Sequence, residues 1–151
     1  MQLNDIMTQY VEVIAPESSL EEAAKQMRSL DVGVLPVSTP FATQTVWWVG
    51  MLTDRDITIR AVAEGKNPRI RVEEVMTSNA YCFEDQDAAE AEQVMEKNQI
   101  RRLPVLDREK FLVGIVSLGD LATKDDETGA GETLERVSEP SRCALSEPRI
   151  Y

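Results

Sequence analysis

Gly50-Met-Leu-Thr-Asp-Arg-Asp-Ile57 is matched 64 residues later by Gly114-Ile-Val-Ser-Leu-Gly-Asp-Leu121. In both stretches a glycine opens an apolar run, a hydroxyl residue ends it, and an aspartate follows three residues on. Two more blocks, upstream of these, keep the same order. Val34-Leu-Pro-Val37 returns as Arg102-Leu-Pro-Val105 at a shift of 68, and Asp5-Ile-Met-Thr8 returns as Glu74-Val-Met-Thr77 at a shift of 69. Three blocks in one order define a tandem repeat, which decides the architecture before any single element does. The 151 residues are therefore read as two units of about 60 residues each.

Each unit carries the same local signals. Ser19 and Glu22 have capping-box spacing, with Leu20, Ala23, Ala24 and Met27 on one helical face behind them; Asp87 and Glu90 stand in the matching positions, followed by Ala88, Ala91 and Met95. The runs VGVLPV and VWWVGML in the first copy, RRLPVL and FLVGIVS in the second, read as adjacent strands. Val11–Ile14 and Tyr81–Phe83 are expected as short strands ahead of the first helices. A second helix begins near Asp54 or Leu118; in the first copy it covers ITIRAVAE and stops at Gly65. Each unit is thus β-α-β-β-α and the fold class α+β. One such unit cannot bury both faces of its sheet, whereas two packed sheet to sheet can. The expected boundaries are 1–65 for the first unit, 66–73 for a polar connector, 74–124 for the second unit, and 125–151 for a flexible tail with one short helix near Thr133 to Val137.

Composition excludes several classes. Lys and Arg total 16 against 27 Asp and Glu, a net charge of -11, which argues against a nucleic-acid binder or a polybasic membrane-surface protein. No histidine is present, removing the commonest general base and transition-metal ligand. Cys82 and Cys143 are too few for a disulfide scaffold or a four-cysteine zinc site, and a bridge between them is not expected in a reducing compartment. MQLNDIMTQY lacks the pattern of a signal peptide and no apolar run has the length of a membrane span, so a cytoplasmic protein is expected. The glycines of Gly114 to Gly119 mimic a phosphate loop, but Asp120 stands where Lys-Ser/Thr is required. Adjacent Trp47 and Trp48 face opposite sides of a strand, one toward the core and the other toward an interface or loop.

The order Met-Thr, amphipathic helix, Leu-Pro-Val, then Gly-x-x-Ser/Thr-x-x-Asp, twice over, resembles a tandem CBS-domain pair, or Bateman module, across about residues 3–122. The stretches GMLTDRDITIRAVAEG and QIRRLPVLDREKFLVGIVSLGDLA are similar to stand-alone bacterial CBS-pair proteins. The resemblance implies two units packed as a pseudo-two-fold pair in a signal-transducing sensor, without catalytic activity, catalytic cofactor or metal. It also implies an adenosine-containing regulatory ligand (AMP, ADP, ATP, S-adenosylmethionine or NAD) in clefts between the units, and a homodimer serving an effector protein.

The motif positions suit such a ligand. A strand end leading into a helix start offers unpaired N–H groups and a favourable dipole end. Thr53 or Ser117 can cap that helix and turn its hydroxyl to a phosphate, and Asp56 or Asp120 can accept from two ribose hydroxyls. The same residues also make a capping box with no ligand, and both readings stand at this point. Arg101 and Arg102 are phosphate-gripping candidates, since the resemblance places contacts at that strand start; Arg55 is a further one, and Ala80 falls where adenine is touched. Arg101 and Arg102 match Gly33 and Val34 in the first copy, so the cleft with Ser117 and Asp120 is expected to fill first. The rival reading is a ligand-free module that works by dimerisation or by docking on a partner, with ITIRAVA as a candidate dimer surface. An enzyme would need a nucleophile and base that the sequence does not present together.

Overall fold

The computed structural model describes residues 1–42, 45–124 and 127–138; Cys143 lies outside them. The elements run α1 (Leu3–Ile6), α2 (Leu20–Leu30), β1 (Val34–Ala42), β2 (Thr45–Thr53), α3 (Asp54–Ile57), β3 (Cys82–Phe83), α4 (Ala88–Asn98), β4 (Arg102–Leu106), β5 (Leu112–Ser117), α5 (Leu118–Lys124) and α6 (Glu127–Ser138). The α+β fold follows the repeat. In the first unit α2 precedes the antiparallel pair β1–β2; in the second, α4 precedes β4–β5, and β3 lies parallel to β4. Both first helices open on complete capping boxes, Ser19 with Glu22 and Asp87 with Glu90, and both stop on a left-handed residue, Asp31 and Gln99. Val11–Ile14 does not form a strand; only Ile14 bridges, in parallel sense, to Val37. The helix after β2 widens into a π-type turn over Thr58–Val62 and ends at Gly65, whose φ of +69° suits glycine.

The two sheets meet through Trp48, Met51, Leu106 and Ile115, joined at their edge by Val11, Tyr81 and Phe83. Trp48 is buried there, while Trp47 stays 40% exposed and meets Phe111 edge-on at 5.4 Å. No helix among the described residues is long and apolar enough to cross a membrane.

The cores divide differently from the boundaries expected from sequence. The first unit's core is drawn from Ile14 to Val75 and includes Val72 and Val75 from the expected connector and second unit. The second unit's core takes Leu3, Ile6 and Met7 from the chain start. Each Met-Thr block pairs with the last strand of a unit: Thr8 exchanges hydrogen bonds of 2.8 and 2.9 Å with Ile115, and Thr77 exchanges bonds of 2.9 and 2.7 Å with Met51. Thr77 completes the unit that precedes it. Thr8 completes the unit at the far end of the chain, so the two halves are closed on each other.

This closure explains two glycines. A Cβ on Gly114 would stand 2.7 Å from Met7 Sδ and 2.8 Å from the Thr8 carbonyl oxygen; on Gly50 it would stand 2.8 Å from Met76 Sδ and 3.0 Å from the Thr77 carbonyl oxygen. The carbonyls are held by the strand pairing and cannot yield.

The described part of the tail is longer in helix than expected: α6 runs from Glu127 to Ser138 and packs on α4 and α5, while the rest of the expected flexible tail, 139–151, lies outside the described residues. Thr133 and Val137, one turn apart, are 1% and 7% exposed, and Val137 joins the second core. Gly129, Gly131 and the surrounding charge hide this helix in the sequence, because they lower its helix propensity.

Gly114→Ala is expected to cost about 1–3 kcal/mol by overpacking. Gly119→Ala, where a Cβ meets only Ser117 Oγ at 3.6 Å, is expected to be neutral or to gain up to about 1 kcal/mol of helix propensity. Urea denaturation measures both; equal effects would contradict the close packing of Met7-Thr8.

Candidate functional site

The two Gly-x-x-Ser/Thr-x-x-Asp motifs sit where β2 meets α3 and where β5 meets α5. Each junction is pinned to the preceding strand entrance. Asp54 N–H donates to the Gly33 carbonyl, and Leu118 N–H donates to the Arg101 carbonyl, both at 2.9 Å. Register places Val34 opposite Thr53 and Arg102 opposite Ser117. Arg102, Ser117 and Asp120 therefore come together at one end of the second sheet, with Arg101 adjoining. Thr53, Arg55 and Asp56 occupy the corresponding end of the first. The five candidate arginines and carboxylates divide by exposure: Arg55, Arg101 and Arg102 are exposed, Asp56 and Asp120 half-buried.

Both motifs form capping boxes. Thr53 N–H donates to Asp56 Oδ2 at 3.0 Å, and Asp56 N–H donates to Thr53 Oγ1 at 3.1 Å. In the second motif Asp120 Oδ2 accepts from Ser117 N–H at 2.8 Å and from its hydroxyl at 2.7 Å, while Asp120 N–H donates to Ser117 Oγ at 3.1 Å. The free carboxylate oxygens differ. Asp56 Oδ1 lies 3.8 Å from Arg60 Nε, whereas no described residue hydrogen-bonds Asp120 Oδ1.

Ala80 is 8% exposed and packs in the second core. It stands two residues before Cys82, whose parallel partner is Val105, so its backbone lies at the Arg102 end of the sheet while its side chain is spent on packing. Cys82 is buried, and burial pushes its thiol up to about 11, with the Glu90 carboxylate adding to the shift.

Sequence reasoning missed Arg60 and Lys124. Arg60 Nη1 donates to the carbonyls of Val75 and Met76 at 3.1 and 3.3 Å, and Lys124 Nζ donates to the Ile6 carbonyl at 3.0 Å. They are repeat-equivalent at a shift of 64. In each unit a cation on the second helix ties the motif to the Met-Thr segment beside it. The signal was present as Asp56 and Arg60 at i,i+4, and it continues in the repeat shift to Lys124.

The CBS-domain family model matches residues 3–40 and 72–127. The chain is similar to the CBS domain-containing protein YhcV of Bacillus subtilis (strain 168), with 38% identity over 138 residues, covering 90% of this chain and 94% of that protein. The crystal structure of Hypoxic Response Protein I (HRPI) with two coordinated zinc ions superposes with a TM-score of 0.73 at 34% identity, covering 82% of this chain and 98% of that one. CBS domain protein PAE2072 from Pyrobaculum aerophilum, complexed with AMP, shares the fold at a TM-score of 0.74 and 18% identity, covering 89% and 98%. Among the described residues no group of three or more His, Cys, Asp or Glu side chains is placed to hold a metal ion.

Two outcomes follow from this geometry. Ser117→Ala removes the cap of α5 and is expected to cost about 0.5–2 kcal/mol without any ligand present, read by chemical denaturation; no loss would mean the box does not hold in solution. With its thiol at about 11, Cys82 is expected to resist iodoacetamide at pH 8 in the folded state and to react once unfolded. Fast alkylation of folded protein, located at Cys82 by mass spectrometry, would contradict its burial.

Proposed function

The chain belongs to the CBS-domain family, and from that premise we propose that it is a non-catalytic, dimeric regulatory protein of the cytoplasm that binds an adenosine-containing ligand at the two strand–helix junctions. The observation that carries this reading is the register pairing of Arg102 with Ser117. It sets an exposed guanidinium beside a helix start whose aspartate keeps one carboxylate oxygen uncommitted among the described residues. Arg102, with Arg101, meets the phosphate; the α5 N–H groups add their dipole; Asp120 Oδ1 accepts from a ribose hydroxyl. The AMP complex of a protein sharing this fold supports the ligand class. Thr53, Asp56 and Arg55 form the weaker counterpart. There the strand entrance carries Gly33 and Val34 in place of the arginine pair, and Arg60 already faces Asp56 Oδ1 at 3.8 Å. AMP, ADP, ATP, NAD and S-adenosylmethionine are the candidates, and the ligand would modulate docking to an effector protein.

One observation favours a second reading. Both motif pairs satisfy their own hydrogen bonds as capping boxes, as a module acting without ligand would require. A melting panel separates the two. A bound nucleotide at 100 times its Kd raises stability by roughly 2.7 kcal/mol, while the ligand-free module shifts with none of the five.

Calorimetry tests the site assignment. Arg102→Ala is expected to weaken the tighter site roughly 10- to 150-fold, the loss of one charge-assisted hydrogen bond. Asp120→Ala is expected to abolish that site and Asp56→Ala to spare it. The reverse pattern would move the tighter site to the first unit.

A further inference from the structure

The two strand pairs share one irregularity. In the first unit Val37 pairs with Gly50 and Ser38 with Trp48, which leaves Val49 as an extra residue. In the second, Val105 pairs with Gly114 and Leu106 with Leu112, which leaves Val113. Both are β-bulges, and the repeat shifts of 68 and 64 carry Ser38 onto Leu106 and Trp48 onto Leu112. The backbone plan is therefore the same and the side chains beside it are not. The second copy sets leucine opposite leucine. The first sets a hydroxyl opposite an indole, where the fold accepts a wholly apolar pair.

Ser38 is 2% exposed and Trp48 7%. Residues directly opposed on antiparallel strands share one face of the sheet, with Cβ atoms about 4.5–5.5 Å apart. For Trp48 that face is the seam between the two sheets, where it packs with Leu106 and Ile115 and its ring centroid lies 5.4 Å from that of Tyr81. Ser38 Oγ and Trp48 Nε1 are both sealed from solvent, and neither has a hydrogen-bond partner among the described residues. A buried donor without an acceptor costs stability, so two side by side call for a partner. The indole N–H can only donate, and the hydroxyl can donate or accept. We propose that Ser38 and Trp48 form a hydration site that holds one water molecule inside the seam. The water accepts from the indole and pairs with the hydroxyl. Its remaining capacity faces the backbone that the extra residue Val49 takes out of the strand ladder. That supplies the roughly two to four partners a buried water requires. The surroundings are apolar, so a larger polar guest would bury further unpaired groups of its own. The site belongs to the first unit alone, because Leu106 and Leu112 offer a water nothing, and it does not depend on the nucleotide reading above.

Two measurements on the full chain test it. A crystal structure grown without nucleotide, at a resolution that shows waters, is expected to hold one ordered water within hydrogen-bond distance of both Ser38 Oγ and Trp48 Nε1. In solution, Trp47→Phe leaves Trp48 as the one indole of the chain, so its N–H proton is identified directly by NMR. That proton is expected to show a nuclear Overhauser effect to water, with the sign of a water that tumbles with the protein. Adding Ser38→Ala, a small change that leaves the indole in place, is expected to remove or clearly weaken the effect. A dry site, or either atom bonded to a protein group instead, overturns the proposal. So does an effect that Ser38→Ala leaves unchanged, since the hydroxyl would then hold nothing. An acceptor that appears at this position only after AMP is added also overturns it, and assigns the pair to the nucleotide site.

Discussion

The seating of Met7-Thr8 against Gly114 holds the molecule together as one body. It joins the first residues of the chain to the last strand, and its repeat-equivalent, Met76-Thr77 on Gly50, joins the middle of the chain to the first unit. Each closure uses a pair of backbone hydrogen bonds and a methionine packed where a side chain would otherwise stand. Both occur on the strand that leads into a Ser/Thr-x-x-Asp junction. The candidate site is therefore fixed from two sides, by the strand register before it and by the cation behind it that grips the seated segment.

The caps and strands were legible because they are local. Ser19 with Glu22 and Asp87 with Glu90 announce helix starts within four residues; Leu-Pro-Val followed by the glycine-led run announces a hairpin. The phase of the repeat was not legible. A repeat read along a line has no natural beginning, and starting each unit at its Met-Thr block fits the letters as well as ending it there. What the pairing with Met51 and Ile115 adds is where each block is seated, and that is a contact between distant segments. The missed docking of α6 has a related cause: among its described side chains the inward pair is Thr133 and Val137, a polar and an apolar residue, which gives periodicity little to show.

At the site, sequence supplied the residue types and the structure supplied their state. Serine or threonine with an aspartate three residues on was visible in both copies. That each pair already holds a complete capping box, and that the two aspartates differ in what faces the second oxygen, required coordinates. The asymmetry expected from Arg101 and Arg102 against Gly33 and Val34 is reinforced by Arg60, whose proximity to Asp56 has no counterpart at Asp120 among the described residues. One repeat thus presents a prepared acceptor and the other a partly neutralised one, although their backbones follow one plan.

The closure of the chain start on the last strand has a consequence for synthesis. The first unit's core draws on residues between Ile14 and Met76, so it can assemble as soon as that stretch leaves the ribosome. The second core cannot close until Val137 has emerged, and it needs Leu3, made before either unit. The opening residues must wait, tethered to a folded neighbour, through the translation of the entire second half. Joining Met7 to Gly114 in a bare chain would close a loop of roughly a hundred residues, whose entropic cost grows with the logarithm of its length. Once the first unit has folded, it acts as a splint that shortens that loop. Order of birth and order of burial are thus opposed at the N-terminus, and the first repeat serves as the template on which the second is completed.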